Sequence, residues 1–275
     1  MTGHELGHVE LGRAEVGGVE IAFRRAGSGP PLVLVHGAAL DSRSWEPQLV
    51  VLADELTVVA WDEPGVGLSS PVPDGFGLAD FADALAGLVE HLGLGPVHLA
   101  GLSWGGTVVL ECYRRHPDLA ASLVLVDTYA GWKGSLPADE VRHRVESVRE
   151  SLAAPPEEFD PTLPGLFSEE PSAEVVALMS EMAADVRPET LALELGIMAD
   201  ADLSEVLPTI AVPTLLVWGE ADARSPVDSV ARRFAADIPG AELAVIEGAG
   251  HMSNLEQPER VNEVVRNFVR RHRTG

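Results

Sequence analysis

Hydrophobic and polar residues repeat along this chain with two periods, and the switch between them predicts its elements. Residues 9–15 and 19–25 alternate apolar with polar side chains across Gly17-Gly18, the pattern of an antiparallel hairpin at a sheet edge. Six short, continuously apolar runs follow, at 32–35, 57–60, 97–100, 123–126, 214–217 and 243–246. Such runs predict parallel strands covered on both faces. Helical periodicity fits between most of them, at 45–52, 78–92, 107–116 and 227–236, and a closing helix is expected at 258–271. Strand and helix in alternation define a doubly wound α/β sheet, here mostly parallel and eight-stranded.

The alternation breaks once. Between about residues 130 and 207 no strand pattern occurs, whereas 138–152, 173–184 and 189–198 have helical periodicity, punctuated by Pro155, Pro156, Pro161, Pro164, Pro171 and Pro188. Because the strand pattern resumes after Val212-Pro213, this stretch is expected to be a helical cap inserted into one domain. The expected organisation is a core built from residues 1–129 and 208–275, with the cap at 130–207.

Length and composition narrow the class. A chain of 275 residues, 46% of them hydrophobic, can bury roughly three quarters of its unfolded surface as one domain, and no apolar run reaches the ~18 residues of a membrane span. The stretch from Met1 to His8 has neither a basic segment nor an apolar run behind it, which argues against a secretory signal and makes the cytoplasm the expected location. The net charge of −24 repels nucleic acid and anionic membrane surfaces, so neither is an expected partner; a solvated acidic surface accounts for it. The single cysteine, Cys112, is expected to be a small buried hydrophobe. No H-E-x-x-H, paired cysteines or acidic calcium loop occurs, and no G-x-G-x-x-G follows the first parallel strand, so neither metal nor dinucleotide is expected as a cofactor.

Candidate chemistry centres on Gly101-Leu102-Ser103-Trp104-Gly105, which joins the run at 97–100 to the helix at 107–116. In a strand-turn-helix elbow the serine takes a strained conformation that projects its Oγ, and glycines flank it because a Cβ there would strike the adjoining strand and helix. A serine hydroxyl is a weak nucleophile at neutral pH; it needs a base, and the base needs an acid to hold its tautomer. Ser103, Asp222 and His251 follow one another in the chain order associated with this elbow, each in a loop leaving the carboxyl end of a predicted strand, where open α/β sheets place their ligands. Asp127, at the end of the run 123–126, is the alternative acid or a pocket residue, or else caps a turn beside Thr128. The remaining histidines, His36 apart, are expected to be structural or solvated.

Five motifs in this order, each directly after an apolar run, resemble the α/β-hydrolase superfamily in its helically capped form. They are His36-Gly37, the segment Asp62-Glu63-Pro64-Gly65-Val66-Gly67-Leu68-Ser69, the elbow itself, Val217-Trp218-Gly219-Glu220-Ala221-Asp222, and Gly248-Ala249-Gly250-His251. The likeness runs from about residue 19 to 268. It implies that His36 orients the backbone of an oxyanion loop, and that the backbone N–H groups of Ala38 and Trp104 are the oxyanion donors, each able to contribute about 3 kcal/mol. It also implies a core position for Trp45. The Trp104 side chain either lines the acyl pocket or packs in the core.

Serine at the elbow, where dehalogenases and epoxide hydrolases of this fold use aspartate, implies an acyl-enzyme. The expected function is therefore hydrolysis of a small-molecule carboxylic ester or lactone through an acyl-serine, without a cofactor. The Asp127-Thr128 pair leading into Lys133-Gly134 is faintly similar to 3-oxoadipate enol-lactonases. The 62–69 segment is similar to that of C–C bond hydrolases, from which Leu102 and Glu63 depart, and cofactor-free perhydrolases share the triad. A ligand-binding receptor of this fold keeps it too, and labelling of Ser103 separates that reading from an enzyme.

Overall fold

The structure, a computed structural model, describes residues 9–153 and 162–272; residues 1–8 and the prolines Pro155, Pro156 and Pro161 lie outside the described residues. One eight-stranded sheet organises the chain, in the order β1-β2-β4-β3-β5-β6-β7-β8. β1 (Glu10–Val16) and β2 (Val19–Ala26) form the expected hairpin, turned by Gly17 and Gly18 at φ 59° and 85° with nothing near a would-be Cβ. β2 also runs antiparallel to β4 (Thr57–Trp61). β3 (Pro31–Val35), β4, β5 (Val97–Leu102), β6 (Ala120–Val126), β7 (Thr214–Gly219) and β8 (Glu242–Ile246) are parallel neighbours.

Period-two geometry sends alternate residues of each central strand to opposite faces. Val33, Val35, Val59 and Trp61 face one core with α2 (Leu78–His91), α3 (Trp104–Arg115) and α8 (Arg232–Asp237); Leu32, Leu34, Val58 and Ala60 face the other with α1 (Glu46–Leu52) and α10 (Pro258–Arg271). Each large side chain buried there stabilises the fold by about 1.5–3 kcal/mol. Trp45 and Cys112 are in the core as expected, and burial pushes the Cys112 thiol up to about 12.

β8 departs from expectation. It is the edge of the sheet, with a partner only in β7, and Val245 is 44% exposed. An uninterrupted apolar run does not distinguish a central strand from an edge strand. The helix expected at 107–116 starts earlier, at Trp104, since the glycines that read as loop form its first turn. The helix expected at 227–236 is a π-turn at Val227–Ala231 continued by α8.

Between β6 and β7 lie α4 (Trp132–Ser135), α5 (Ala138–Ala153), α6 (Ala173–Ala184) and α7 (Pro188–Asp200). The Ser172 side chain caps α6 by accepting from the Val175 N–H, and α7 starts on Pro188, whose fixed φ and missing N–H suit a first turn. Thr190 donates to the Gly65 carbonyl at 3.1 Å and Arg187 to that of Ser69 at 3.2 Å, fastening α7 over the loop after β4. That loop is itself held by Asp62, whose carboxylate accepts from Ser42 and Leu68 N–H groups, both at 2.9 Å.

Candidate active site

Ser103 sits at φ 52°, ψ −115°, between β5 and α3. Its N–H donates to Val126 O at 3.0 Å, and its carbonyl accepts from Gly106 N–H at 3.0 Å and from Thr128 Oγ1 at 2.5 Å, so backbone and side-chain bonds hold a conformation that a non-glycine residue rarely takes. A Cβ on Gly101 would lie 2.5 Å from Gly105 O, and one on Gly105 2.3 Å from Val35 O. These are backbone atoms that cannot swing aside. Gly105→Ala is therefore expected to cost about 2–3 kcal/mol, read as a lower denaturation midpoint; an unchanged midpoint would contradict this packing.

His251 bridges the other two candidates. Its Nε2 is 2.9 Å from Ser103 Oγ and its Nδ1 2.8 Å from Asp222 Oδ2, and the His251 and Asp222 side chains are 3% and 0% exposed. The neutral tautomer with the proton on Nδ1 satisfies both contacts, donating to Asp222 and accepting from Ser103. Burial alone would raise the Asp222 pKa. The His251 ring and the donors of Ser225 outweigh it and hold the carboxyl below its ordinary value. Asp222 Oδ1 accepts from the Arg224 and Ser225 N–H groups at 2.7 and 2.9 Å, and Oδ2 from Ser225 Oγ at 2.6 Å. Glu256 pins the base's loop, accepting from Gly250 N–H at 2.6 Å and from the N–H and hydroxyl of Ser168, both at 2.7 Å.

Asp127 does not cap a turn beside Thr128. It is fully buried; Oδ1 accepts from Gly219 N–H at 2.7 Å and Oδ2 from Ser253 Oγ at 2.5 Å, which ties the end of β6 to β7 and to α9 (Ser253–Glu256). Burial first, and then the charge of Asp222, push its carboxyl well above the usual range. Sequence alone placed Asp127 at a strand end and did not show which neighbours closed over it.

His36 donates from Nδ1 to Gly37 O at 2.9 Å and accepts at Nε2 from Glu63 N–H at 3.2 Å. Burial lowers its pKa, so the neutral ring links two backbone segments, as the resemblance implied. Among the described residues neither Ala38 N–H nor Trp104 N–H has a protein acceptor, and Trp104 opens α3, where no intrahelical carbonyl precedes it. The Trp104 indole settles the choice between pocket and packing: it is buried, edge-on to Phe81 at 5.5 Å, and donates from Nε1 to both Glu63 oxygens at 3.0 and 2.9 Å.

Ser103 and His251 open on a cavity of about 490 Å³. Its far wall comes from the helices between β6 and β7, with Met179, Leu191, Leu195 and Met198 as apolar lining. Arg144 of α5 stands 5.6 Å from the ring centroids of both Tyr129 and Trp132 and donates to Tyr129 Oη at 2.9 Å. The Tyr129 ring lies 6.0 Å from that of His251. Sequence reasoning missed Arg144, Glu194 and Glu256. Glu194 alone carried a signal, as a carboxylate inside the apolar stretch Leu191-Ala192-Leu193-Glu194-Leu195. Among the described residues no group of histidine, cysteine or acidic side chains could hold a metal ion, and no helix is long and apolar enough to cross a membrane.

A model of the alpha/beta hydrolase family matches residues 32–264, and the chain belongs to that family. Among solved structures it is similar to a thermophilic esterase from Thermogutta terrifontis, with a TM-score of 0.85, 33% identity and coverage of 96% of this chain and 100% of that one. Among curated proteins it is 32% identical to the non-heme chloroperoxidase CPO-A1 of Kitasatospora aureofaciens, over 85% of this chain and 89% of that one. It is 27% identical to the 2-(acetamidomethylene)succinate hydrolase of Mesorhizobium japonicum, over 94% of each. The family, with its esterase and hydrolase relatives, supports hydrolytic activity.

Proposed function

We propose that this protein cleaves a carboxylic ester or lactone of a small molecule through an acyl-serine, with Ser103 as nucleophile, His251 as base and Asp222 as acid. The observation that carries the reading is the continuous hydrogen-bonded line from Asp222 Oδ2 through both nitrogens of His251 to Ser103 Oγ. In the first half-reaction Ser103 Oγ attacks the carbonyl while His251 Nε2 takes its proton, and the oxyanion is met by the N–H groups of Ala38 and Trp104. His251 then gives that proton to the departing alkoxide. Water follows the same path in reverse, deprotonated by His251, and frees the acid. Asp222 stays ionised throughout and stabilises the imidazolium. Residues 130–207 act in this reading as the cap that closes the pocket, and the cytoplasm is the proposed location.

A second reading has its own support in the chloroperoxidase relative: hydrogen peroxide in place of water at the same acyl-serine would yield a peracid. Both readings need the acyl-enzyme. A fluorophosphonate probe is expected to label the wild type and not Ser103→Ala, and p-nitrophenyl esters of rising chain length beside γ- and δ-lactones would then grade the substrate. A wild type that takes no label would contradict both readings and favour a ligand-binding role for the fold.

A further inference from the structure

Two buried carboxyl groups, Glu63 after β4 and Glu194 on α7, meet beneath the oxyanion loop at 0% and 1% exposure, where Thr190 and Arg187 fasten α7 over the loop that carries Glu63, and they are close enough to share a proton. Each also holds one arm of the proposed oxyanion hole. Glu63 accepts the indole N–H of Trp104, whose backbone N–H is one proposed donor. Glu194 Oε2 accepts the Ala39 N–H at 3.3 Å, and Ala39, at the left-handed φ of 61°, directly follows Ala38, the other proposed donor. We propose that Glu63 and Glu194 are positioning residues: a proton shared between the two carboxyls locks both arms of the oxyanion hole to α7, and its loss at alkaline pH releases them.

The electrostatics of the surroundings require a shared proton. Two carboxylates brought together in a buried site repel and are desolvated together, so one keeps its proton. Charged or titratable groups on the neighbouring elements include His36 and Asp62 beside Glu63, Asp41 and Arg43 beyond the oxyanion loop, and, on α3, Glu111 with Arg114 and Arg115, which are paired to Glu111 and Asp83. Lys133 lies on α4; Asp139, Glu140, Arg142, His143, Arg144, Glu146, Arg149 and Glu150 on α5; Glu189 and Asp200 on α7, with Arg187 just before it. Arg43 is spent on Asp41 and Asp185, Arg144 on Glu140, Tyr129 and the Arg224 carbonyl, and Arg187 on backbone carbonyls. His36 offers Glu63 only a backbone contact. Among the described residues no side-chain cation bonds to either carboxyl. Burial pushes Glu194 up to about 7, and burial together with the Glu194 charge pushes Glu63 well above its ordinary range.

The sign follows. In the singly protonated pair one carboxyl is ionised and the other keeps the proton and donates it across, while Glu194 accepts the Ala39 N–H. When alkaline pH removes the proton the pair shares, both carboxyls are charged, and α7 and the oxyanion loop are driven apart. In Glu194→Gln the carbonyl still accepts from Ala39 and the amide donates to an ionised Glu63; Glu63→Gln is the mirror case. Both variants keep the geometry without a shared proton.

The proposal rests on the acyl-serine reading, so its test has an arm independent of turnover. In the wild type kcat for a p-nitrophenyl ester is expected to fall about tenfold on an alkaline limb, and the indole ¹H–¹⁵N signal of Trp104 to shift with the same midpoint. In Glu194→Gln and Glu63→Gln that limb should shrink to less than about twofold and the indole signal should stay put. An alkaline limb unchanged in both variants, or an indole signal that shows no shift in the wild type, would overturn the proposal. A wild type that turns over no ester would overturn the hydrolase reading instead, and the indole titration alone would then decide whether the proton is shared.

Discussion

Ser103→Ala is expected to lower kcat for an ester by about a millionfold while leaving the fold intact. Among the described residues the Oγ hydrogen-bonds to His251 alone, so its removal breaks no structural bond; the backbone bonds that hold the elbow, from Ser103 N–H to Val126 and from Gly106 N–H to Ser103 O, are untouched. What disappears is the atom that forms the acyl bond. The residual rate would come from an oxyanion hole and a desolvated pocket acting on water, which elsewhere leave a rate some thousandfold over solution. A variant within tenfold of the wild type, with an unchanged circular dichroism spectrum and melting curve, would remove Ser103 from the chemistry.

The second large effect separates the two aspartates. Asp222→Asn is expected to cost about four orders of magnitude in kcat, because an amide nitrogen facing Nδ1 would force the imidazole into the tautomer that presents a proton, not a lone pair, to Ser103. The alternative amide orientation returns a carbonyl to Nδ1 and then sets the NH₂ against the Arg224 and Ser225 N–H donors, and in either case the negative charge beneath the imidazolium is lost. Asp127→Asn should cost about tenfold or less, since its oxygens serve Gly219 N–H and Ser253 Oγ and it is already held towards the neutral form. Parallel kcat measurements on the two variants decide the acid, and the reverse ranking would assign the role to Asp127.

The parts of the fold that were legible beforehand share a local cause. Strands whose two faces are both buried must be apolar along their length, which made β3 to β7 readable, and the elbow could be read because Gly101 and Gly105 meet backbone atoms within 2.5 Å of a would-be Cβ. The Asp222, Ser103 and His251 positions followed from the strand ends that carry them. What stayed hidden depends on long-range packing. The surroundings of Asp127 are supplied by Gly219 and Ser253, some 90 and 126 residues away. Glu63 stood out in the sequence only as an unusual residue near its turn, and its partner Glu194 lies on a helix whose inward face helical periodicity does not reveal. The exposed β8 shows the converse, an apolar run that reads as buried because edge and centre differ only in what pairs alongside.

The central claim is that Ser103 carries the acyl group. Mixing the enzyme with a p-nitrophenyl ester, quenching in acid during turnover and weighing the peptide that contains residue 103 tests it most directly. The account predicts a mass gain equal to the acyl group on Ser103, absent from Ser103→Ala; p-nitrophenol release without that adduct, or with the acyl group on another residue, would contradict it.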